Sequence, residues 1–293
     1  MDLKYIVKEN DKNKTIKQVL KNEFKISNRL ILKLKNNNKI FVNNKTEWLD
    51  YGIIKNDLIS VNLDFIEDNS NIVPTKMELN IIYEDDALLV IDKPAGIAIH
   101  PSILHFENSL SNGVKFYFDS INLHRLIRPV NRLDRNTSGL VVFAKNEYVQ
   151  EALIRQMAEN IFCKEYLCLA NGYFKNKKGI INAPIARKEN SIIERCISFE
   201  KGQNSITEYE VLKEFNNISL VKCSLKTGRT HQIRVHMAYI GHPLLGDDLY
   251  GYSSNLINRQ ALHSYKLEFI HPISNDKICF TSSLPQDMQF FEL

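Results

Sequence analysis

The stretch PVNRLDRNTSGLVVFAK, Pro129–Lys145, constrains this chain more than any other. Pro129 and Val130 predict a short strand, and Leu140–Ala144 is an apolar run of strand length rich in β-branched residues. A polar loop, Asn131–Gly139, separates them, with Asp134 between Arg132 and Arg135. Thr137, Ser138 and Gly139 suit a tight exit turn, because glycine takes positive φ and hydroxyls bond the local backbone. On local composition alone this is a surface loop whose charges cap strand ends, or a loop whose side chains do chemistry.

The chain has 293 residues, enough for one medium domain and a small one. No apolar run reaches the length of a membrane span, and Met1–Asn10 mixes both charge signs where a signal peptide would be apolar, so the expected location is the cytoplasm. The net charge of +4 is unevenly spread: residues 1–45 hold +8 and the remainder −4. A basic arm on a mildly acidic body suits a polyanionic partner, and equally a lysine-rich solvated face. The five cysteines lack paired CxxC spacing and read as reduced, mostly buried thiols. His231 and His236, five apart, lack the cysteine pair or clustered carboxylates of a metal site, so no metal is expected.

In chain order, Thr15 can cap a helix carrying Ile16, Val19, Leu20 and Phe24, and Ser27 a second with Leu30, Ile31 and Leu34. Lys25, Arg29 and Lys33 fall four apart and line one side, as a phosphate-tracking face would need. Short strands are predicted over 39–42 and 57–63, around a turn at Asn43–Asn44. The polar stretch 67–76, with Pro74, reads as a linker, which divides the chain into 1–70 and 71–293. Beyond it, 79–83 and 87–92 form a hairpin, 109–118 a helix, and Asn146 caps a helix over 147–159. A strand is expected over 164–172 and short strands within 179–196, with 207–212 and 218–225 pairing antiparallel. Thr230 is expected to cap a helix through Ile240, with Ile233, Met237 and Ile240 as its apolar stripe and Gly241 as its end. Closing strands fall at 261–270 and 277–282.

RLDRNTSGL followed by an apolar strand and AKN resembles the catalytic signature of the RluA/RluD family of pseudouridine synthases. Two further segments match that family in order and spacing: KEYL, Lys164–Leu167, and KTGRTHQIRVHMAYIGHPLLGDDLYG, Lys226–Gly251. IIYEDDALLVIDKPAGIAIHP resembles the opening of its catalytic domain. The N-terminal helices, small strands and IFVNN turn are similar to an S-four-like RNA-binding module, although Asn replaces the small residue usual in that turn. One departure lies in the signature itself, where Asn131 replaces the His that usually precedes Arg-Leu-Asp.

The resemblance implies an α+β fold, with a mixed, largely antiparallel sheet and an active-site cleft, preceded by a small S-four-like αβ module. It implies a monomeric enzyme that isomerises uridine in structured RNA, ribosomal rather than transfer RNA, without metal or coenzyme. It assigns the essential carboxylate to Asp134, the ring of the second motif to Tyr166, the guanidinium that pairs with the carboxylate to Arg234, and an RNA contact beside the displaced base to Arg132. Two other functions compete. A non-catalytic RNA-binding or ribosome-assembly protein on the same scaffold is suggested by Asn131. A glycosidase-like enzyme would need a second carboxylate as acid/base partner, which no motif supplies.

Overall fold

Helix capping organises the N-terminal part of the computed structural model, which describes residues 1–101 and 106–291. Strand β1 (Asp2–Ile6) precedes α1 (Ile16–Asn22), opened by a reciprocal capping box between Thr15 and Gln18. Ser27 caps α2 (Asn28–Asn36), accepting from the amide of Leu30 at 3.2 Å. Strands β2 (Ile40–Val42) and β3 (Lys45–Thr46) meet through Asn43 and Asn44 with φ of 48° and 65°, the left-handed pair that a two-residue hairpin needs and that Asn tolerates. With β4 (Leu58–Asn62) these strands form a sheet in the order β1-β4-β2-β3. The sequence reading missed β1, whose five mixed-polarity residues pair with β4 from Asp2↔Asn62 to Ile6↔Leu58.

The larger part begins with the hairpin β5 (Ile81–Glu84) and β6 (Leu88–Lys93). Helix α3 (Leu110–Ser120) follows, then β7 (Arg128–Pro129), β8 (Ser138–Ala144), α4 (Glu147–Ala158) and β9 (Cys163–Asn171). Next come β10 (Lys178–Asn182), β11 (Ile185–Arg187), β12 (Arg195–Ile197), β13 (Ile206–Phe215) and β14 (Ile218–Leu225). Helix α5 (Gln232–Tyr239), β15 (Leu262–Ile270) and β16 (Lys277–Thr281) close the fold. The main sheet runs β10-β13-β14-β9-β15-β8-β6-β5, with β16 on β15 and β7 on β8, while β11 and β12 pair apart from it. Its ladders are antiparallel except where β15 meets β8, so the fold is α+β with a mixed, largely antiparallel sheet.

Strand β8 is buried along its whole length, and its two faces serve two cores. Val141 and Phe143 pack with Leu89, Ile91 and the α3 residues Val114 and Phe118. Leu140 and Val142 pack with Leu88 and Val90 in a cluster that also contains Val149 and Leu153 of α4 and the N-terminal apolar residues. At the parallel junction Gly139 has φ of 109°, and a Cβ there would fall 2.3 Å from the carbonyl oxygen of Ser264. Only glycine lets the exit of the loop lie against β15.

The stretch read as a free linker is tied down. The Glu67 amide donates to His124 O at 3.1 Å, Asn69 Nδ2 to Arg125 O at 2.9 Å, and the Thr75 amide to Asn112 O at 3.1 Å. The cysteines also depart from expectation: Cys168 and Cys223 are buried with Sγ atoms 3.9 Å apart, but Cys163 and Cys279 are exposed. Among the described residues no helix is long and apolar enough to cross a membrane.

Candidate active site

Between the 131–137 loop, the end of α4, β9 and the start of α5 lies a cleft of about 600 Å3. Asp134, Tyr166, Arg132, Lys164, Arg229 and His231 are among its lining residues. The loop that carries Asp134 is held from three sides. Val130 continues the β7–β8 ladder through its amide to Val142 O at 2.7 Å. Asn131 then repeats the pattern with its side chain: Nδ2 donates to Leu140 O at 3.0 Å and Oδ1 accepts from the Val142 amide at 2.9 Å. The side-chain amide stands in for one more peptide unit of the strand, so Asn131 shapes the loop by hydrogen bonding.

The second hold comes from Lys93, a nearly fully buried lysine whose Nζ donates to Pro94 O, Ile97 O and Arg135 O at 2.8, 2.9 and 3.1 Å. Burial, with Arg259 adding to it, pulls its pKa down to about 7, against the opposing influence of Asp134 and Asp92. Arg259 supplies the third. It pairs with Asp287 through Nε and Nη2 and donates from Nη1 to Asn136 O at 3.1 Å.

Arg234, on α5 between Ile233 and Met237, is buried. Its Nε and Nη2 grip both oxygens of Asp247 at 2.7 and 2.8 Å, and Nη1 lies 3.4 Å from Asp134 Oδ2. The first contact is a bidentate charge-assisted pair; the second is longer than a strong hydrogen bond. Burial opposes the charge on Arg234, but Asp247 and then Asp134 outweigh it and raise the guanidinium pKa. Asp247 is fully buried and also accepts from the amides of Leu249 and Tyr250 at 3.2 Å each. Asp134 keeps 26% of its side-chain surface exposed to the cleft. Tyr166, between Cys223 and Ser264 in the sheet, is buried; burial and the Asp134 charge push its phenol well above its ordinary range, so it stays protonated.

A family model described as RNA pseudouridylate synthase matches residues 87–239, the span that builds this cleft. The chain belongs to the RNA pseudouridylate synthase family. It is 36% identical to an RNA pseudouridine synthase of Bacillus subtilis called YhcT, itself uncharacterised, over 98% of this chain and 95% of that one. It is 38% identical to ribosomal large subunit pseudouridine synthase D of Zymomonas mobilis, over 74% of this chain and 72% of the relative. The solved structure of human RNA pseudouridylate synthase domain containing 1 superposes with a TM-score of 0.59 at 26% identity, covering 70% of this chain and 83% of that one. The chain is thus an RNA pseudouridine synthase, an enzyme that isomerises uridine in RNA.

Within this synthase, Asp134, Tyr166 and Arg132 share the cleft, and Arg234 reaches it through Nη1. Arg132 is exposed at the rim, where it makes no hydrogen bond or ion pair among the described residues. The other three expected RNA contacts lie elsewhere, Arg29 and Lys33 on α2 and Lys25 just before it. Lys33 Nζ is 2.8 Å from Glu67 and 3.1 Å from Glu147, Arg29 Nη2 is 3.0 Å from Glu147, and the Lys25 carbonyl accepts from Arg155 at 3.2 Å. Ser27 donates to Glu151 at 2.8 Å, and Arg128 closes the cluster with a bidentate grip on Glu67. Arg29 and Lys33 share a side of α2 that meets carboxylates of the same chain, whereas Lys25 lies before the helix with φ of 55°. Lys33 is therefore a seam residue, while the Arg29 side chain stays 84% exposed.

Sequence reasoning missed Lys93, Asp247 and Arg259. A buried guanidinium needs a full counter-charge, and the acidic pair in GDDLYG was the available signal for Asp247. It also placed the α5 cap one residue early. His231 occupies the cap in left-handed conformation with φ of 58° and makes no side-chain cap bond. The preceding turn is held instead by Gln232, whose Oε1 accepts from Thr227 Oγ1 at 2.8 Å and the Arg229 amide at 3.0 Å.

Proposed function

We propose that this synthase converts uridine to pseudouridine in large-subunit ribosomal RNA, with Asp134 as the reacting carboxylate and with neither metal nor coenzyme. The observation that carries the reading is the unequal sharing of Arg234, which locks Asp247 with two short bonds and leaves Asp134 a single long one at 3.4 Å. Asp134 is thereby oriented but not immobilised, as a carboxylate must be if it is to add to substrate. The bond from the ribose to the ring nitrogen breaks, the uracil turns, and the bond to its fifth carbon forms. A proton leaves that carbon and one is gained at the freed nitrogen, so the balance closes within the substrate.

Tyr166 presents a flat ring for the uracil and, being protonated, a phenolic O–H near the reacting atoms. A uridine stacked in folded RNA must be flipped out at a cost of a few kcal/mol. Phosphate contacts from Arg132, Lys25, Arg29 and the S-four-like module formed by residues 1–70 offset that cost. The ribosomal assignment is supported by the relatives named for the large subunit. The enzyme acts as a monomer in the cytoplasm. Tritium release from ribosomal RNA labelled at the fifth carbon of uridine tests the whole reading. Wild type releases tritium, and Asp134→Asn releases less than about 0.1% as fast while binding RNA normally. Turnover by the amide variant above about 1% of wild type sinks the assignment of Asp134.

A further inference from the structure

The imidazole of His231 occupies the wall of the cleft beside Asp134 and is no part of the mechanism above. Its Nδ1 lies 2.8 Å from Tyr250 Oη and its Nε2 lies 3.8 Å from Asp134 Oδ2. Tyr250 Oη accepts the backbone N–H of Arg195 at 2.8 Å. The two rings meet edge to face at 5.6 Å, and the Arg234 guanidinium sits 5.0 Å from the centre of the Tyr250 ring.

Hydrogen accounting points to one tautomer. A phenol has one proton to give and lone pairs to receive. The Arg195 amide fills one lone pair, and Nδ1 is the one acceptor that the phenol proton reaches among the described residues. A neutral imidazole that accepts at Nδ1 carries its proton on Nε2, the nitrogen facing Asp134. Burial is the largest influence on His231 and lowers its pKa; Arg234 and Arg195 add to that, while Asp134 and Asp247 oppose it. Both Arg234 Nη1 and His231 Nε2 address the same oxygen, Oδ2, and Oδ1 has no partner among the described residues.

We propose that His231 is a positioning residue: held by Tyr250 as the neutral Nε2–H tautomer, it steadies Oδ2 of Asp134 opposite Arg234 and leaves Oδ1 as the oxygen that meets the substrate. The proposal rests on Asp134 being the reacting carboxylate. It gives a purpose to the left-handed cap of α5, whose side chain makes no cap bond and lines the cleft.

The test uses the full chain and two independent readouts. Nitrogen-15 NMR of the wild-type histidines should show His231 neutral and protonated at Nε2 at pH 7. Single-turnover tritium release should fall about 50-fold in His231→Ala with RNA affinity within about twofold of wild type, recover to within about fivefold in His231→Gln, which keeps an N–H at that place, and fall about tenfold in Tyr250→Phe. An imidazolium or an Nδ1–H tautomer at pH 7 overturns the proposal, and so does an unchanged rate in His231→Ala. If His231→Ala fails to fold, the spectrum and a His231→Gln rate as low as that of Asp134→Asn decide against it. A wild type that releases no tritium defeats the reading of Asp134, and the spectrum still decides the tautomer.

Discussion

Lys33 and Arg234 are each shared between two carboxylates, and they are shared differently. Lys33, at the seam between α2 and α4, has short contacts to both Glu67 and Glu147. Arg234 has two short bonds to Asp247 and a long one to Asp134. In the seam Lys33 and Arg128 are matched by Glu67 and Glu147, and the arrangement is a fastening. In the cleft the planar fork is committed on one edge to Asp247, and the other edge meets Asp134 by a single longer contact, as the proposed reaction of that carboxylate requires. The lesson is that a buried cation supports chemistry when its counter-charge is supplied by a residue other than the reacting one.

The sharpest way to break that contrast is Asp247→Asn. The fork of Arg234 would then turn to Asp134 as its sole anion, and turnover should fall by at least about a hundredfold with a loss of stability of about 3 kcal/mol. Tritium release and thermal melting measure the two effects; unchanged turnover would mean that Asp247 does nothing for the cleft.

The seam responds to acid instead. Burial alone would raise the pKa of Glu67, but Arg128 and Lys33 outweigh it and hold the carboxyl at about 2. A carboxylate depressed in the folded state stabilises the fold fully above its unfolded value, near 4.5, and loses that contribution as pH falls toward 2. Glu67→Gln should therefore be less stable than wild type by on the order of 3 kcal/mol at pH 7, and the gap should narrow steadily below pH 4.5 in denaturant titrations. A gap independent of pH would assign the effect to packing.

The smallest effect separates a fastening from a phosphate contact. Lys33→Met should lower stability by about 1 kcal/mol and leave the salt dependence of RNA binding unchanged, whereas loss of a phosphate contact would reduce the slope by about one. Trp48 offers the readout: it is the single tryptophan, 70% exposed, with Lys35 Nζ 5.2 Å from its ring centre. RNA reaching the N-terminal module should quench its fluorescence.

Much of the fold was legible because its signals are local. Ser27, Ser109 and Asn146 announce helices that begin at the next residue, and the apolar run of β8 marks a central strand. Strand β1 was not, because DLKYI buries only Leu3 and its pairing partner lies some sixty residues away. Motif order brought forward Asp134, Tyr166 and Arg234, and the structure gathers them at one cleft. Lys93 was hidden because a lysine in a strand reads as solvated, and nothing local shows three carbonyls converging on it. The side-chain ladder of Asn131 was equally hidden, since its partners are backbone atoms of a strand nine and eleven residues on.

Helix α4 joins the two contrasted places. Its first turn carries Glu147, which receives Lys33 and Arg29, and its last residues, Met157 and Ala158, line the cleft. Twelve residues make a rod of roughly 18 Å. With the N-terminal part fastened at one end of α4 and the cleft at the other, the two are held at a fixed span. On the proposal that the N-terminal module grips an RNA element, a uridine in the right local sequence but at the wrong distance from that element would be passed over, and selectivity would be written in length as well as in bases.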